Sequence, residues 1–469
     1  MYDLSLSFHF VGIGGSGMSG IAEVLLNCGF KISGSDLVMS PACSRLKSLG
    51  AQVAIGHAAE NLPSETSLLV YSSAVRIDNP EVIEAHRRKI PVIPRAEVLA
   101  ELMRLKFGIG VAGAHGKTTT TSMIGTMLEE VGMDPTVIIG GVIKSMHTGG
   151  KCGQGQFLVA ETDESDRSFL LLKPSVAILT NIDSEHMEAY DSMEDLIASF
   201  EQYAYSIPFY GLAIFCNDDV RVAKIAAEYD RRKRTYAINT EADIQARSIR
   251  PEKFSSCYQL IVDGVAVGEV HLPVPGKHAV QNSLAVVAVG LELKIPVDQI
   301  IAALAKYEGV ERRFDILRQA EPTIINDYGH HPTEIRAVIA AIREGWDLSG
   351  RKLHVVFQPH RYTRTRDCFG EFLSSFEGAD SILFAPIYAA SEDPIAGISS
   401  EALCKALAHS NAHCFADFEA IRAKLNSTVA SQDIILCLGA GTIGAFSHSL
   451  AKDFMPSCSQ NLSGAAANE

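Results

Sequence analysis

Residues 108–122 read Gly-Ile-Gly-Val-Ala-Gly-Ala-His-Gly-Lys-Thr-Thr-Thr-Thr-Ser. An apolar run ends at Gly113. Ala114, His115, Gly116, Lys117, Thr118 and Thr119 then lead into a helical pattern. A Gly-Lys-Thr loop between a strand and a helix is a phosphate cradle, because backbone N–H groups and the positive end of the helix dipole face an anion there. Lys117 is placed to reach the terminal phosphates of a nucleoside triphosphate, and the Thr118 hydroxyl to hold Mg²⁺. The spacing is shorter than the common phosphate loop: Val111 stands where its first glycine is expected.

A second glycine motif, Gly12, Gly14, Gly15 and Gly17 followed by Met18, joins an apolar strand to a helical pattern, and Asp36 lies 24 residues after Gly12. This spacing suits close backbone approach to a diphosphate, with an acid reading a ribose. Alone it suggests an NAD enzyme or a tight turn without a ligand. It does not say which nucleotide carries the diphosphate. The segment Tyr71-Ser72-Ser73-Ala74 ends a later strand and would add hydroxyls to the same cleft.

Acidic runs usually are solvated loops. Glu161-Thr-Asp-Glu-Ser-Asp166 instead closes an apolar strand beside the phosphate loop. That position makes Glu161 a metal-ligand candidate. Thr180-Asn-Ile-Asp-Ser-Glu-His-Met187 closes the next strand, so His186 is either a nitrogen ligand or a structural histidine. A carboxylate, an imidazole and a phosphate-bridging cation would together clamp a transferring phosphoryl group. Further on, Asn326-Asp-Tyr-Gly-His-His-Pro332 suggests a rigid turn displaying polar groups. A zinc site is the rival reading, but no further Cys or His stands at zinc spacing nearby. His360-Arg-Tyr-Thr-Arg-Thr-Arg366 places Arg361, Arg364 and Arg366 in one loop of an acidic chain, as an anion site or a solvated basic loop.

These residues need strand ends and helix starts to hold them. The 469 residues suit about three domains. Strands are expected at 9–11, 31–36, 67–72, 157–161, 176–181, 323–327, 353–358, 381–386 and 434–438, separated by helical patterns. Residues 235–272 look β-like and irregular. Alternating strands and helices predict open, mostly parallel sheets. A net charge of −14 argues against nucleic acid as a partner. No apolar run approaches ~20 residues, and the start shows no cleavable apolar segment, so a cytoplasmic protein without membrane insertion is expected. Ten cysteines without a CxxC pair read as reduced thiols.

Taken together, the chain resembles the Mur ligase family from about residue 8 to 450. The resemblance rests on Gly12-Ile-Gly-Gly-Ser-Gly-Met18, Gly34-Ser-Asp36, Gly113-Ala-His-Gly-Lys-Thr-Thr119, Glu161–Asp166, His278 with Asn282, Arg312-Arg-Phe314, Asp327–Pro332 and His360–Arg364. Within the family it looks most like the branch that adds L-alanine to UDP-N-acetylmuramate; a murein-peptide ligase using the same acceptor is the alternative. The resemblance implies an α/β fold of three domains: a UDP-binding Rossmann-like domain (1–105), a central P-loop ATPase with a mostly parallel sheet (106–312) and a C-terminal Rossmann-like domain (313–455). A disordered tail (456–469) is expected after them.

It implies ATP and Mg²⁺ as cofactors. It reassigns Gly12, Gly14, Gly15, Gly17, Met18, Asp36, Ser72, Ser73 and Ala74 to the UDP substrate. Thr118, Glu161 and His186 match metal positions. Gly113 to Thr119, Asn282, Arg313 and Asp327 match ATP positions. Tyr328, His330, His360, Arg361 and Arg364 match positions for the amino acid and acceptor, and Lys117 and His330 would be catalytic. Other branches carry a carbamylated lysine; 191–211 contains no lysine, so none is expected. A monomer or weak homodimer is expected.

Overall fold

A computed structural model describes residues 5–454 apart from 73, 74, 147 and 391. The expected tail and two of the expected UDP contacts, Ser73 and Ala74, lie outside the described residues. The chain divides into two compact units, Met1–Glu311 and Arg312–Glu469.

The first unit holds two sheets. One has five parallel strands in the order Gln52–Ile55, Lys31–Asp36, Ser7–Val11, Leu68–Tyr71 and Val92–Pro94. Its first strand runs into Gly12, whose φ of +78° suits glycine, and then into the helix Ser16–Asn27. The strand Val92–Pro94 was not foreseen. An edge position tolerates Pro94, which also precedes the helix Arg95–Arg104.

The second sheet has ten strands, and the phosphate-loop strand Phe107–Ala112 lies inside it, between Val176–Leu179 and Phe157–Glu161, parallel to both. All three strands are almost fully buried and apolar, as a sheet covered on both faces requires. Their C-terminal ends therefore share one edge, where ligands of open α/β sheets bind. The irregular 235–272 region resolves into antiparallel strands, Ile244–Pro251, Ser256–Val262 and Val265–Leu272, at one end of this sheet.

The helix Ser16–Asn27 packs closely on the strand Thr148–Lys151: a Cβ on Gly150 would collide with the Gly20 carbonyl. This approach also corrects the expectation of reduced thiols. Cys28, just past the helix, is disulfide-bonded to Cys152, just past the strand, with Cα atoms 6.3 Å apart. The two stand 124 residues apart, so no local spacing could signal the pair. Seven other cysteines are free among the described residues.

The second unit is a six-stranded sheet in the order Asp315–Arg318, Thr323–Asp327, Ile434–Leu438, Leu353–Phe357, Ser381–Phe384 and Ala412–Cys414, parallel except for its first pair. The helix Pro332–Gly345 starts on a capping box formed by His331 and Glu334. No helix among the described residues is long and apolar enough to cross a membrane.

Candidate active site

Gly113 and Gly116 have φ values of +138° and +83°, so the phosphate loop turns through backbone conformations that L-residues resist. Neither has room for a side chain. A Cβ on Gly113 would strike Thr180 Oγ1, and one on Gly116 would come within 2.7 Å of Asn282 Oδ1. Asn181 holds the loop from the neighbouring strand end: its side chain accepts from the His115 N–H at 2.8 Å and donates to the His115 carbonyl at 3.0 Å. Thr180 Oγ1 donates to the same carbonyl at 2.7 Å. His115 meets Asp183 at 3.0 Å. Gly116 leads into the helix Lys117–Glu130 without a side-chain cap, the arrangement that suits an anion.

Lys117 Nζ donates to both carboxylate oxygens of Glu164 at 2.8 Å, and to the carbonyls of Gly113 and Ala114 at 2.5 and 3.2 Å. Burial opposes its charge, but Glu164 and Asp163 outweigh burial and hold its pKa above the ordinary lysine value. Burial likewise opposes ionisation of Asp163, yet Arg95 and Lys117 bring its pKa down to about 2. Arg95 forms an ion pair with Asp163, tying the exit helix of the five-stranded sheet to the acidic loop. Tyr190 donates its hydroxyl to the Glu164 carbonyl at 2.5 Å.

Thr118 Oγ1 donates to Glu161 Oε2 at 2.6 Å, and Glu161 Oε1 accepts from the Gly140 N–H. The structure thus joins two of the three expected metal residues. The third, His186, groups with Glu164 and Glu185, their ligand atoms all within 4.8 Å of one another. Glu161 is not a member of that group. These carboxylates and one imidazole, beside a threonine hydroxyl, are a predominantly hard oxygen set that fits Mg²⁺. Glu164 and Glu185 were missed as site residues. Both stand within motifs already singled out, but only the fold shows which acids turn toward Lys117 and His186. Thr119 lies in the first turn of the helix; Thr120 and Thr121 are buried.

At the N-terminal glycine turn, Asp36 Oδ2 accepts from the Gly14 N–H at 2.8 Å. Asp36 therefore orders the turn itself. Gly15 and Gly17 open the helix, and a Cβ on Gly17 would collide with the Arg95 guanidinium. Ser72 lies against Gly12. Met18 was expected at the UDP substrate. Its side chain is in the core, and its N–H donates to the Gly15 carbonyl at 3.0 Å.

In the second unit, Asp327 also serves the backbone: its two oxygens accept from Phe314 and Gly329 N–H groups, each at 2.6 Å. Burial raises its pKa to about 6 against the pull of Arg313 and these amides. Arg312 and Arg313 lie over the Tyr328 ring, 4.8 and 4.9 Å from its centroid, and Arg313 meets Glu334 at 3.1 Å. His330 Nδ1 lies 3.0 Å from the Tyr328 carbonyl, and the backbone N–H of His330 donates to Glu334 at 3.0 Å. Its ring faces Tyr328 edge-on and lies 5.8 Å from that of His360. His360 stacks on Tyr388 and accepts from Arg364 at 3.2 Å. Burial, then His330 and the arginines, push the His360 pKa down to about 3, so it is neutral at pH 7. Arg361, with φ +70°, precedes the short helix Tyr362–Asp367. Tyr328, His330, His360 and Arg364 thus form one aromatic and cationic cluster, joined by Glu334 and Tyr388. Glu334 was legible as the acid of a capping box after His331; Tyr388 had no sequence signal.

Comparison with known proteins bears on the whole chain. Family models match in order: Mur ligase family, catalytic domain, over residues 7–107; Mur ligase middle domain over 111–290; and Mur ligase, glutamate ligase domain, over 312–441. The chain is 48% identical over 456 residues to the UDP-N-acetylmuramate–L-alanine ligase of Syntrophotalea carbinolica, covering 96% of this chain and 99% of that protein. It is 49% identical over 448 residues to the enzyme of the same name from Geobacter sulfurreducens, covering 94% and 96%. Among solved structures, a UDP-N-acetylmuramate–alanine ligase from Thermotoga maritima superposes with a TM-score of 0.82 at 27% identity, covering 96% of this chain and 99% of that one. A murein peptide ligase from Psychrobacter arcticus gives 0.70 at 21% identity over 96% and 100%, a likeness of fold. With a phosphate loop, an acidic strand end beside it and relatives of nearly full length, this chain belongs to the Mur ligase family.

Proposed function

We infer that this chain is an ATP-dependent, ADP-forming ligase that joins L-alanine to the lactyl carboxylate of UDP-N-acetylmuramate, in peptidoglycan precursor synthesis. The observation that carries this reading is the Lys117 ammonium, held at the mouth of a phosphate loop by Glu164, in a chain aligned almost end to end with relatives of that named activity. We divide it into a UDP-binding domain (1–105), an ATP-binding domain (106–312) and a C-terminal domain (313–455). We also infer a cytoplasmic location from a reaction that consumes ATP and a nucleotide-linked sugar.

A carboxylate is a poor electrophile, so amide formation in water needs activation. The lactyl carboxylate attacks the γ-phosphorus of ATP, giving an acyl phosphate and ADP. The amine of L-alanine then attacks the acyl carbon, and phosphate leaves. The glycine turn at Gly12–Gly17 lets the UDP diphosphate approach the start of the helix Ser16–Asn27. Gly113–Thr119 receives the ATP phosphates, with Asn282 against Gly116. Lys117 moves from Glu164 to the terminal phosphate and neutralises charge as the phosphoryl group transfers; stabilisation of this kind is usually the largest catalytic term. Thr118 and Glu161 on one side, and His186 with Glu164 and Glu185 on the other, would hold Mg²⁺. An ion held there would supply further neutralisation of phosphoryl charge.

The amino-acid carboxylate pairs with Arg361 and Arg364, next to Tyr328 and His360. His330 donates Nδ1–H to the Tyr328 carbonyl in the tautomer that makes Nε2 its basic nitrogen. That nitrogen takes the proton of the attacking amine. The test is phosphate release from ATP with UDP-N-acetylmuramate and one amine at a time: L-alanine, glycine, L-serine or a stem tripeptide. L-Alanine should give the highest kcat/KM. A preference for the tripeptide, or release that needs no amine, would overturn the reading.

A further inference from the structure

The antiparallel end of the ten-stranded sheet carries a group of side chains that the ligase reaction does not use. Cys257 on Ser256–Val262 stands directly opposite His271 on Val265–Leu272, so the two side chains share one face. Glu252 opens the turn into Ser256–Val262, its N–H donating to the Ser255 carbonyl at 2.9 Å. That turn brings its carboxylate back over the pair. The Cys257 thiol donates to Glu252 Oε1 across 3.6 Å, and His271 Nε2 lies 3.9 Å from Glu252 Oε2. All three ligand atoms lie within 4.8 Å of one another. Cys257 is only 6% exposed, whereas Glu252 and His271 are open to solvent.

We propose that Glu252, Cys257 and His271 form a zinc site that clips the outer hairpins of this sheet together. The donor set of one sulfur, one imidazole nitrogen and one carboxylate oxygen is that of tetrahedral Zn²⁺, with solvent in the fourth place. Zinc–oxygen and zinc–sulfur bonds of ordinary length at a tetrahedral angle place their two donors about 3.6 Å apart, the spacing found between Glu252 and Cys257. The other neighbouring charges are accounted for. Arg250, paired with Cys257 from the neighbouring strand and so on the same face, forms an ion pair with Glu269, and Ser255 donates its hydroxyl to Glu252. Binding replaces the Cys257 S–H bond with a sulfur–zinc bond and releases the proton to water.

The place is separate from the hard-donor group at the phosphate loop. Five strands intervene between Val265–Leu272 and Phe107–Ala112 in the sheet order. Sulfur selects Zn²⁺ here, as the carboxylate-rich set selects Mg²⁺ there.

The full-length protein, in excess Mg²⁺ to fill the oxygen-rich group, is titrated with Co²⁺ alone and then with Zn²⁺. The expected result is one equivalent of tetrahedral Co²⁺ with thiolate-to-cobalt charge-transfer absorption, displaced by Zn²⁺. Cys257→Ser should abolish the charge-transfer band. His271→Ala, at an exposed position that should not disturb folding, should weaken Co²⁺ binding at least tenfold. Absence of the thiolate band in the parent protein, or an unchanged spectrum and affinity in both variants, would overturn the proposal.

Discussion

Lys117 Nζ lies 2.8 Å from each carboxylate oxygen of Glu164, a residue only 2% exposed. Lys117, the residue proposed to meet the terminal phosphate, is thus already paired with an internal carboxylate. On the proposed reading, nucleotide phosphates would replace a carboxylate rather than water. Removing one partner of a buried pair leaves the other charge uncompensated. Glu164→Gln should therefore destabilise the nucleotide-free protein by about 2–4 kcal/mol. With Mg·ATP bound, the phosphates hold Lys117 and the loss should shrink markedly. Denaturant unfolding with and without nucleotide checks this; an equal loss in both states would contradict it.

Lys117→Met removes the charge while keeping much of the side-chain volume. We expect kcat to fall at least about 10²–10³-fold, because a donor aimed at developing charge is lost. Binding of UDP-N-acetylmuramate, measured by calorimetry, should not change, since the glycine turn at Gly12–Gly17 is intact.

Glu161 and His186 are expected to matter through the metal. Glu161→Gln and His186→Gln should each raise the Mg²⁺ concentration for half-maximal turnover by about 10–100-fold. Chelator should abolish turnover in the parent enzyme, and added Mg²⁺ should restore it. A parent enzyme indifferent to chelator would contradict the assignment.

Asp327 carries a pH dependence of stability. Its folded pKa, about 6, lies above the ordinary 3.8. The folded state therefore holds the proton more tightly. Its contribution is fully present below about pH 3.8 and is lost as pH rises through about 6. Asp327→Asn lacks this titration. Between pH 7 and 4.5, the parent should gain about 2 kcal/mol relative to the variant. Denaturant unfolding at the two pH values provides the measurement, and a parallel pH response would refute it.

Much of this site was visible in residue order, because parallel strands announce their ends. Phe157–Glu161, Thr323–Asp327 and Ile434–Leu438 begin and end where the apolar runs do; the first two stop at an acid and the third just before Gly439. The phosphate loop is local in sequence, so Gly113 to Thr118 could be read directly. What could not be read depends on approach between distant segments. Glu164 meets Lys117 across 47 residues, and nothing in Glu161-Thr-Asp-Glu164 says which acid turns inward. Asp36 and Asp327 looked like ligand-reading acids, yet each accepts backbone N–H groups that hold its own turn. Met18 followed the glycines and went to the core, because the helix must bury one face. The bond between Cys28 and Cys152 needed two glycine-rich surfaces to meet.

The central claim is that the sugar carboxylate is activated as an acyl phosphate at the Lys117 loop. Turnover with UDP-N-acetylmuramate labelled with ¹⁸O in the lactyl carboxylate, ATP and L-alanine tests it directly by mass analysis of the released phosphate. One labelled oxygen per phosphate is the predicted result, because the carboxylate oxygen that attacks phosphorus leaves with it. Unlabelled phosphate from a turnover that yields the amide would contradict the account.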